Sequence, residues 1–592
     1  MNMESNNYQK NIHNEEYRQK YSTPCITWED MVYDAGRETE SLNGFWNFCI
    51  DQYDSFLRAE WYKEERKDAA GRDLPVDYDF DCWEKVMVPS CWNTQRPEYL
   101  YYEGPAVYTR TFQYTNHGEK KVYLKLGAAN YEAFLFLNRR FAGYHKGGST
   151  PVYVDVTGLL QENNRIAIVV DNTRRRDQVP SNNTDWYNYG GLYRDVELIR
   201  LPEVFIKDFY IGLAGGGNFN KLELRLGLSS KTDCEGVIRM PELGIDRVVN
   251  IRGGQWREEL DGAPELWSPK KPRLYRVEVS CGGDAVSERI GFRKIKVKGT
   301  DIYLNGEKIF LKGISCHEES IENGRAVTEE EVVGNLRLAK ELNCNYMRLA
   351  HYPHTGKTAK LADELGLMLW EEIPVYWAID FSNPATLADA ENQLRELINR
   401  DKNRASVIIW SVGNENADTE ARLHFMKALA VAAKAADPGR LVSAACLVDT
   451  VENRIADRLA EYLDIIGINE YYGWYDPDFE KLPRCFENSR PAKPVVISEF
   501  GADARPLYRG TRDDLFTEDM QEDVYKKQID VLGKVEYVKG MSPWILYDFR
   551  CPRRHNGFQQ GYNLKGLLSA DKRHRKLAFF ILQQFYSKKA FL

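Results

Sequence analysis

Val407-Ile408-Ile409-Trp410-Ser411-Val412-Gly413 runs straight into Asn414-Glu415, and Pro494-Val495-Val496-Ile497-Ser498 runs into Glu499-Phe500-Gly501. Both stretches are rich in β-branched residues and lack polar alternation, the pattern of strands buried on both faces in a parallel sheet. Each ends on a glutamate, at the position where (β/α)8 barrels carry their chemistry. One strand-end glutamate says little. Two on different strands suggest an acid and a nucleophile working as a pair.

Outward from these two runs, apolar strands alternate with helical stretches from about Lys294 onward, the signature of a parallel sheet wrapped by helices. Eight strand candidates can be counted: Ile309–Ser315, Asn345–Ala350, Leu367–Glu371, Val407–Gly413, Leu441–Ala445, Ile465–Asn469, Val495–Glu499 and Pro543–Asp548. Helical stretches fall between them, at Glu329–Leu342, Leu387–Arg400, Thr419–Ala436 and Met520–Leu532, with a last helix over Lys576–Tyr586. On this count Glu415 follows strand four and Glu499 ends strand seven.

Upstream, from about Leu42 to Arg200, short β-like runs such as Lys121–Leu126, Ala133–Leu137 and Arg165–Val170 alternate with turns, and Asn138–Gly148 reads as turn. After Asp81 no convincing helix longer than two turns interrupts them. After Pro202 come Val204–Ile206, Lys221–Leu226 and Leu274–Val279, strands without helices. The expected architecture is multidomain, β followed by α/β. A jelly-roll-like, sugar-binding-like β-sandwich covers 1–201, an immunoglobulin-like β-sandwich 202–296, and a C-terminal (β/α)8 TIM barrel 297–592.

A chain of 592 residues is too long for one core. A net charge of −8 argues against a basic nucleic-acid-binding protein. The 12% aromatic content suits sugar stacking but equally suits β-sandwich cores. The eleven cysteines are odd in number and form no C-x-x-C pair, which favours reduced thiols over disulfides or a zinc site. Met1-Asn2-Met3-Glu4-Ser5-Asn6 opens no secretory signal, and no window approaches 18 consecutive apolar residues. The expectation is a cytoplasmic protein with no nucleic-acid or membrane partner, no metal and no cofactor.

Glycoside hydrolysis needs one carboxylic acid to protonate the leaving oxygen and one carboxylate to attack or to activate water. At about 5 Å and an effective dielectric of 20, two such charges repel by roughly 3 kcal/mol. That is about two pK units, enough to keep Glu415 protonated near neutral pH while Glu499 is ionised. Once glycosyl transfer neutralises Glu499, Glu415 can act as the base, so one pair serves both steps of a retaining mechanism.

Trp410–Glu415 and Ile497–Gly501 resemble the acid/base and nucleophile motifs of glycoside hydrolase family 2. So do Gly313-Ile314-Ser315-Cys316-His317-Glu318 at strand one and Arg348-Leu349-Ala350-His351-Tyr352-Pro353 at strand two. The order of sandwich, immunoglobulin-like domain and barrel matches as well, so the resemblance spans nearly the whole chain. Within the family it points to the bacterial-like β-glucuronidase type. Asn563-Leu564-Lys565-Gly566 looks like the Asn-x-Lys motif by which those enzymes hold the sugar carboxylate, and an amide plus an ammonium can do this through charge-assisted hydrogen bonds. In Asn469-Glu470-Tyr471-Tyr472-Gly473-Trp474-Tyr475, the resemblance implies that Tyr471 bonds the nucleophile and Tyr475 touches the sugar. In Asp185-Trp186-Tyr187-Asn188-Tyr189-Gly190-Gly191, Asp185 would contact a sugar hydroxyl. Asn414, Asn469, His317, His351 and Trp544 complete the expected sugar-binding set, and family resemblance implies a homo-oligomer, a tetramer or a dimer.

The resulting expectation is a retaining exo-β-glucuronidase acting on β-D-glucuronides. Some members carry an arginine shortly before Asn563 where this chain has Gln559-Gln560-Gly561-Tyr562, which leaves glucuronide against galacturonide open. A neutral-sugar β-galactosidase would leave Lys565 without an electrostatic partner. A non-catalytic carbohydrate-binding protein would need the glutamate pair lost, and both are present. Arg174-Arg175-Arg176 reads as a solvated turn, Lys572-Arg573-His574-Arg575-Lys576 as solvent-facing, and Glu372–Thr386 as a compact loop on the barrel rim that leaves the aglycone side open.

Overall fold

The computed structural model describes residues 16–215 and 219–589. The reading of Met1–Asn6, and the outer ends of the first and last expected domains, lie outside the described residues. The chain divides into two compact units, Met1–Thr173 with Asn188–Phe205, and Arg174–Tyr187 with Ile206–Leu592.

The first unit is an antiparallel sandwich. One sheet has the order Thr39–Ser41, Val196–Leu201, Lys121–Leu126, Val152–Asp155. The other has the order Arg140–Lys146, Glu132–Leu137, Asn163–Asp171, Pro105–Gln113, Gly44–Ile50, Glu84–Val88. Alternation of period two sends Val122, Leu124 and Leu126 into a core shared with Trp46, Leu135 and Ile168. Glu132–Leu137 is buried on both faces because Phe56 and Phe80 pack with Phe134 and Phe136 on the outer side of its sheet. The expected turn over Asn138–Gly148 is corrected: Asn138 and Arg139 turn, both at positive φ, but Arg140–Lys146 is a strand paired with Glu132–Leu137. Its glycines suggested a loop, whereas Gly143 pairs with Leu135 and the register shift between Phe141 and Gly143 leaves Ala142 as the extra residue in the ladder.

The second unit begins with two antiparallel sheets, one of three strands (Ile206–Leu213, Lys221–Leu228, Gln255–Asp261) and one of four (Ile245–Ile251, Cys234–Met240, Tyr275–Cys281, Asp284–Ile290). Eight parallel strands then close a barrel: β1 Leu311–Cys316, β2 Tyr346–Leu349, β3 Met368–Glu372, β4 Val407–Asn414, β5 Leu441–Leu447, β6 Ile466–Asn469, β7 Val495–Glu499 and β8 Val538–Met541. Helices Glu329–Glu341, Pro384–Asp401, Glu420–Ala436 and Glu518–Leu532 start on Thr328, Asn383, Thr419 and Thr517, whose side chains accept from the first-turn amides. Between β5 and β6 the only helical turn is the short 3-10 segment Arg458–Tyr462.

The eighth strand is not Pro543–Asp548. Gly540 of β8 lies so close to β1 that a Cβ there would meet Leu311 Cβ at 2.5 Å, and a strand reading Val-Lys-Gly-Met lacks apolar density. Pro543 cannot donate to a ladder. The run after it is buried because it crosses the C-terminal end of the barrel, where Leu567 N donates to Ile545 O at 2.9 Å.

The N-terminal half of the barrel interior is plugged by Leu311, Tyr346, Trp370, Ile409 and Val496, packed with Trp267 and Ile302 below. Polar groups therefore gather at the other end. Among the described residues no helix is long and apolar enough to cross a membrane, and no group of three or more His, Cys, Asp or Glu could hold a metal.

Candidate active site

β4 carries Asn414 to the barrel mouth, and Glu415 follows at φ 52, leaving the strand in a left-handed turn. β7 ends on Glu499. Between them stands Arg348 of β2, fully buried. Its NH1 donates to Glu499 Oε1 at 2.7 Å, and its NH2 donates to Glu372 Oε1 at 2.9 Å and to Asn414 Oδ1 at 2.7 Å. Asn469 at the end of β6 donates from Nδ2 to Glu415 Oε1 at 3.0 Å and to Asn414 Oδ1 at 3.1 Å, and Ser498 Oγ fixes that amide through Oδ1 at 2.7 Å. Tyr471 OH donates to Glu499 Oε2 at 2.6 Å. Five strands, β2, β3, β4, β6 and β7, thus hold both carboxylates in one network.

The two carboxyls are treated differently. Burial first, and the charge of Glu499 second, push the Glu415 carboxyl up to about 7. Mutual repulsion alone, the cause expected from sequence, is the smaller contribution. Burial also raises Glu499 above its ordinary value, but Arg348 opposes the shift with a charge and a hydrogen bond. A proton near neutral pH on Glu415 and a negative charge on Glu499 are the states this arrangement favours.

Both carboxylates open into a cavity of about 700 Å³. At its other end Lys565 Nζ donates to Tyr475 OH at 2.8 Å and to Asp503 Oδ2 at 2.6 Å. Burial opposes the charge on Lys565, yet Asp503 outweighs it and holds the ammonium above its ordinary range. Lys565 therefore has an electrostatic partner within the protein, so its presence alone does not count against a neutral sugar. Asn563 Nδ2 lies 3.3 Å from Asp185 Oδ2, and Asp185 is gripped by Arg554, whose NH1 donates to Tyr475 OH at 3.1 Å. Two cations converge on one phenol oxygen.

Of the remaining expected residues, His351 and Trp544 line the cavity, whereas His317 and Asn414 are buried behind its wall. His351 stacks on Trp544 at 4.7 Å and 18°, with Nδ1 2.7 Å from Glu372 Oε1. His317 Nδ1 meets Tyr352 OH at 3.1 Å, while its buried Nε2 and Asn414 Nδ2 have no partner. Burial pushes both histidines well below their ordinary range, so both are neutral. Trp186, next to Asp185, packs edge-on to Tyr376 at 4.8 Å.

Arg348, Glu372, Trp377, Asp503 and Arg554 escaped the sequence reading. A lone arginine inside the apolar β2 run was a usable signal, and so was the Arg553-Arg554 pair. The rim loop is more than packing: Trp377 Nε1 donates to Glu415 Oε2 at 2.6 Å. Arg174 and Arg176 are exposed, as expected of a solvated turn. Lys576 corrects the expectation for the last basic run: it is fully buried, with Nζ 2.7 Å from Asp548 Oδ1 and 2.9 Å from Leu564 O. A buried lysine at a helix start is indistinguishable from a solvated one by composition.

Residues 295–591 match the model of the glycosyl hydrolases family 2 TIM barrel domain, 39–202 that of the family 2 sugar binding domain, and 249–293 a further family 2 model. The chain is 27% identical over 581 residues to a β-glucuronidase of Paenibacillus borealis, covering 89% of this chain and 94% of that one. It is 26% identical over 610 residues to a β-glucuronidase of Chlorocebus aethiops, covering 93% and 91%. Among solved structures, a β-D-glucuronidase of Dictyoglomus thermophilum superposes with a TM-score of 0.79 at 25% identity, covering 95% of this chain and 99% of that one. The β-glucuronidase of Ruminococcus gnavus shares the fold with a TM-score of 0.82 at 23% identity, covering 95% and 100%. The family models and the relatives agree, and the chain belongs to glycoside hydrolase family 2 and is a glycoside hydrolase.

Proposed function

We propose that this glycosidase is a retaining exo-β-glucuronidase that works through a covalent glycosyl-enzyme intermediate. The observation that carries the reading is the convergence of Lys565 and Arg554 on Tyr475 OH, at 2.8 and 3.1 Å, in the cavity that holds Glu415 and Glu499. The β-glucuronidase relatives support it. The sugar carboxylate accepts from Lys565 and Asn563 in place of the phenol. Asp185, His317 Nε2, Asn414 and Asn469 take sugar hydroxyls, and the Trp544–His351 stack forms an apolar wall. Glu499 attacks the anomeric carbon as Glu415 gives its proton to the glycosidic oxygen, and the aglycone leaves as an alcohol. The bond to Glu499 removes a charge from beside Glu415, which then takes a proton from water as that water displaces Glu499.

The division into 1–201, 202–296 and 297–592 belongs to the same reading, as do a homo-oligomeric state and a cytoplasmic location. The deciding assay compares p-nitrophenyl β-D-glucuronide with the corresponding galacturonide and galactoside. The glucuronide is expected to give the largest kcat/KM. A larger value for the galacturonide reassigns the uronic acid, and a larger one for the galactoside removes the uronate reading.

A further inference from the structure

A second cavity, of about 340 Å³, lies at the opposite end of the barrel, beneath the starts of β4, β5 and β6 and against the strand Ile206–Leu213. Eight lysines and arginines line it, against two carboxylates, Glu223 and Asp464. Five of the cations are neutralised: Arg225 by Glu223, Lys402 by Asp208, Arg404 by Glu288 and Asp363, Lys434 by Asp464, and Arg440 by Asp437. Arg293, Lys294 and Lys296 have no carboxylate in ion-pair reach among the described residues. Arg293 donates only to backbone carbonyls: Ala405 O at 3.0 Å, Gly439 O at 3.4 Å, and Val407 O. Arg440 Nε donates to the same Val407 O at 2.8 Å. Two guanidinium groups therefore meet at one oxygen, and only one of them has a counter-charge.

Like charges held this way are costly in a partly dry site unless an anion joins them. Burial, then the charge of Arg440, push the Arg293 guanidinium down to about 9, and Lys296 helps to lower Lys294 after burial. A guanidinium keeps its proton under such conditions, so the cost is carried as positive charge that Asp437 and Asp363 offset only in part. The Val407 carbonyl that both arginines share begins β4, so removing the charge by rearrangement would disturb the barrel.

We propose that this cavity is a binding site for a small molecule bearing a tetrahedral oxyanion, a phosphate or sulfate group, held by Arg293 and Lys294 with Arg440 behind them. Planar guanidinium forks and an ammonium suit such a group, and the volume matches a small metabolite. The site lies at the opposite end of the barrel from the glutamate pair and does not depend on the glycosidase reading.

The test is isothermal titration of the full chain with sodium phosphate, sodium sulfate, glucose 6-phosphate and glucose 6-sulfate, with ionic strength held constant by sodium chloride. Saturable binding to one site is expected, weakened at least tenfold in Arg293→Met and in Lys294→Met and unchanged in Lys565→Ala. Esters that bind more tightly than the free ions identify an ester as the ligand, and equal affinities identify the free ion. Lys294 is half-buried at the cavity edge, so its variant reports even if Arg293→Met fails to fold. Absence of saturable binding overturns the proposal. So does binding that survives both cavity substitutions, or that is lost instead in Lys565→Ala.

Discussion

Lys565 Nζ lies 2.6 Å from Asp503 Oδ2, and each side chain is only 1% exposed. The cation proposed to receive the sugar carboxylate is thus already paired, and Tyr475 and Arg554 complete its surroundings. A bound carboxylate joins an existing ion pair rather than meeting a bare charge, so the Coulomb figure near 4 kcal/mol for an isolated pair at about 4 Å and an effective dielectric of 20 is an upper guide.

Lys565→Ala is expected to cost roughly 2–3 kcal/mol, about 30- to 150-fold in kcat/KM, on glucuronides and little on a neutral glucoside. It also strands a buried Asp503, a loss of about 3–5 kcal/mol in folding stability. Combining Lys565→Met with Asp503→Asn should restore much of the stability and none of the glucuronide activity. Denaturant unfolding beside kcat/KM measures both. Recovery of activity with stability would make Lys565 a structural residue.

Glu499→Ala should abolish turnover, whereas Glu415→Ala should regain rate when azide is supplied with an activated aryl glycoside. Proton NMR of the first-formed product should show retained configuration. Inversion would require a water between more widely spaced carboxylates and would contradict the proposed roles.

Trp377 Nε1 donates to Glu415 Oε2 at 2.6 Å, a bond that favours the ionised carboxylate and lowers its pKa. With Glu415 at about 7, kcat/KM should fall as pH rises through about 7, because the general acid loses its proton. Trp377→Phe removes the donor, and that alkaline limb should move up by about 0.4–1 unit, the equivalent of one hydrogen bond. A limb that moves down, or does not move, would show that another group sets it.

The barrel was legible because Val407–Asn414 and Val495–Glu499 are apolar throughout and end on charged or amide side chains, a combination that few other folds produce. β8 was not legible: its burial comes from Gly540 fitting against Leu311, a close approach that leaves no apolar signature. In the site, residues carried by recognisable motifs were visible, and those defined by long-range pairing were not. Asp503 gains its meaning only from Lys565, and Arg554 only from Asp185. Trp377 looked like packing because nothing in its own loop announces a bond to Glu415. Lys576 looked like surface because its counter-charge, Asp548, sits on the run mistaken for a strand.

The raised carboxyl of Glu415 is also a stability statement. Its ordinary value is 4.5 and the folded value about 7, so the folded chain binds this proton more tightly than the unfolded chain. Below about pH 4.5 both states are protonated and the contribution is fully present; it is lost as pH rises, until Glu415 ionises in the folded state near 7. A shift of this size corresponds to an upper figure of about 3 kcal/mol. Glu415→Gln cannot ionise, but its amide nitrogen meets the Asn469 donor, a penalty independent of pH. The stability of the Gln variant relative to the parent should therefore improve by up to about 3 kcal/mol between pH 4.5 and 7.5, whatever its starting offset. Thermal or urea unfolding of both proteins across that window checks it. A difference that stays flat with pH would mean that Glu415 is not held protonated in the folded enzyme, and would remove the basis for its role as the general acid.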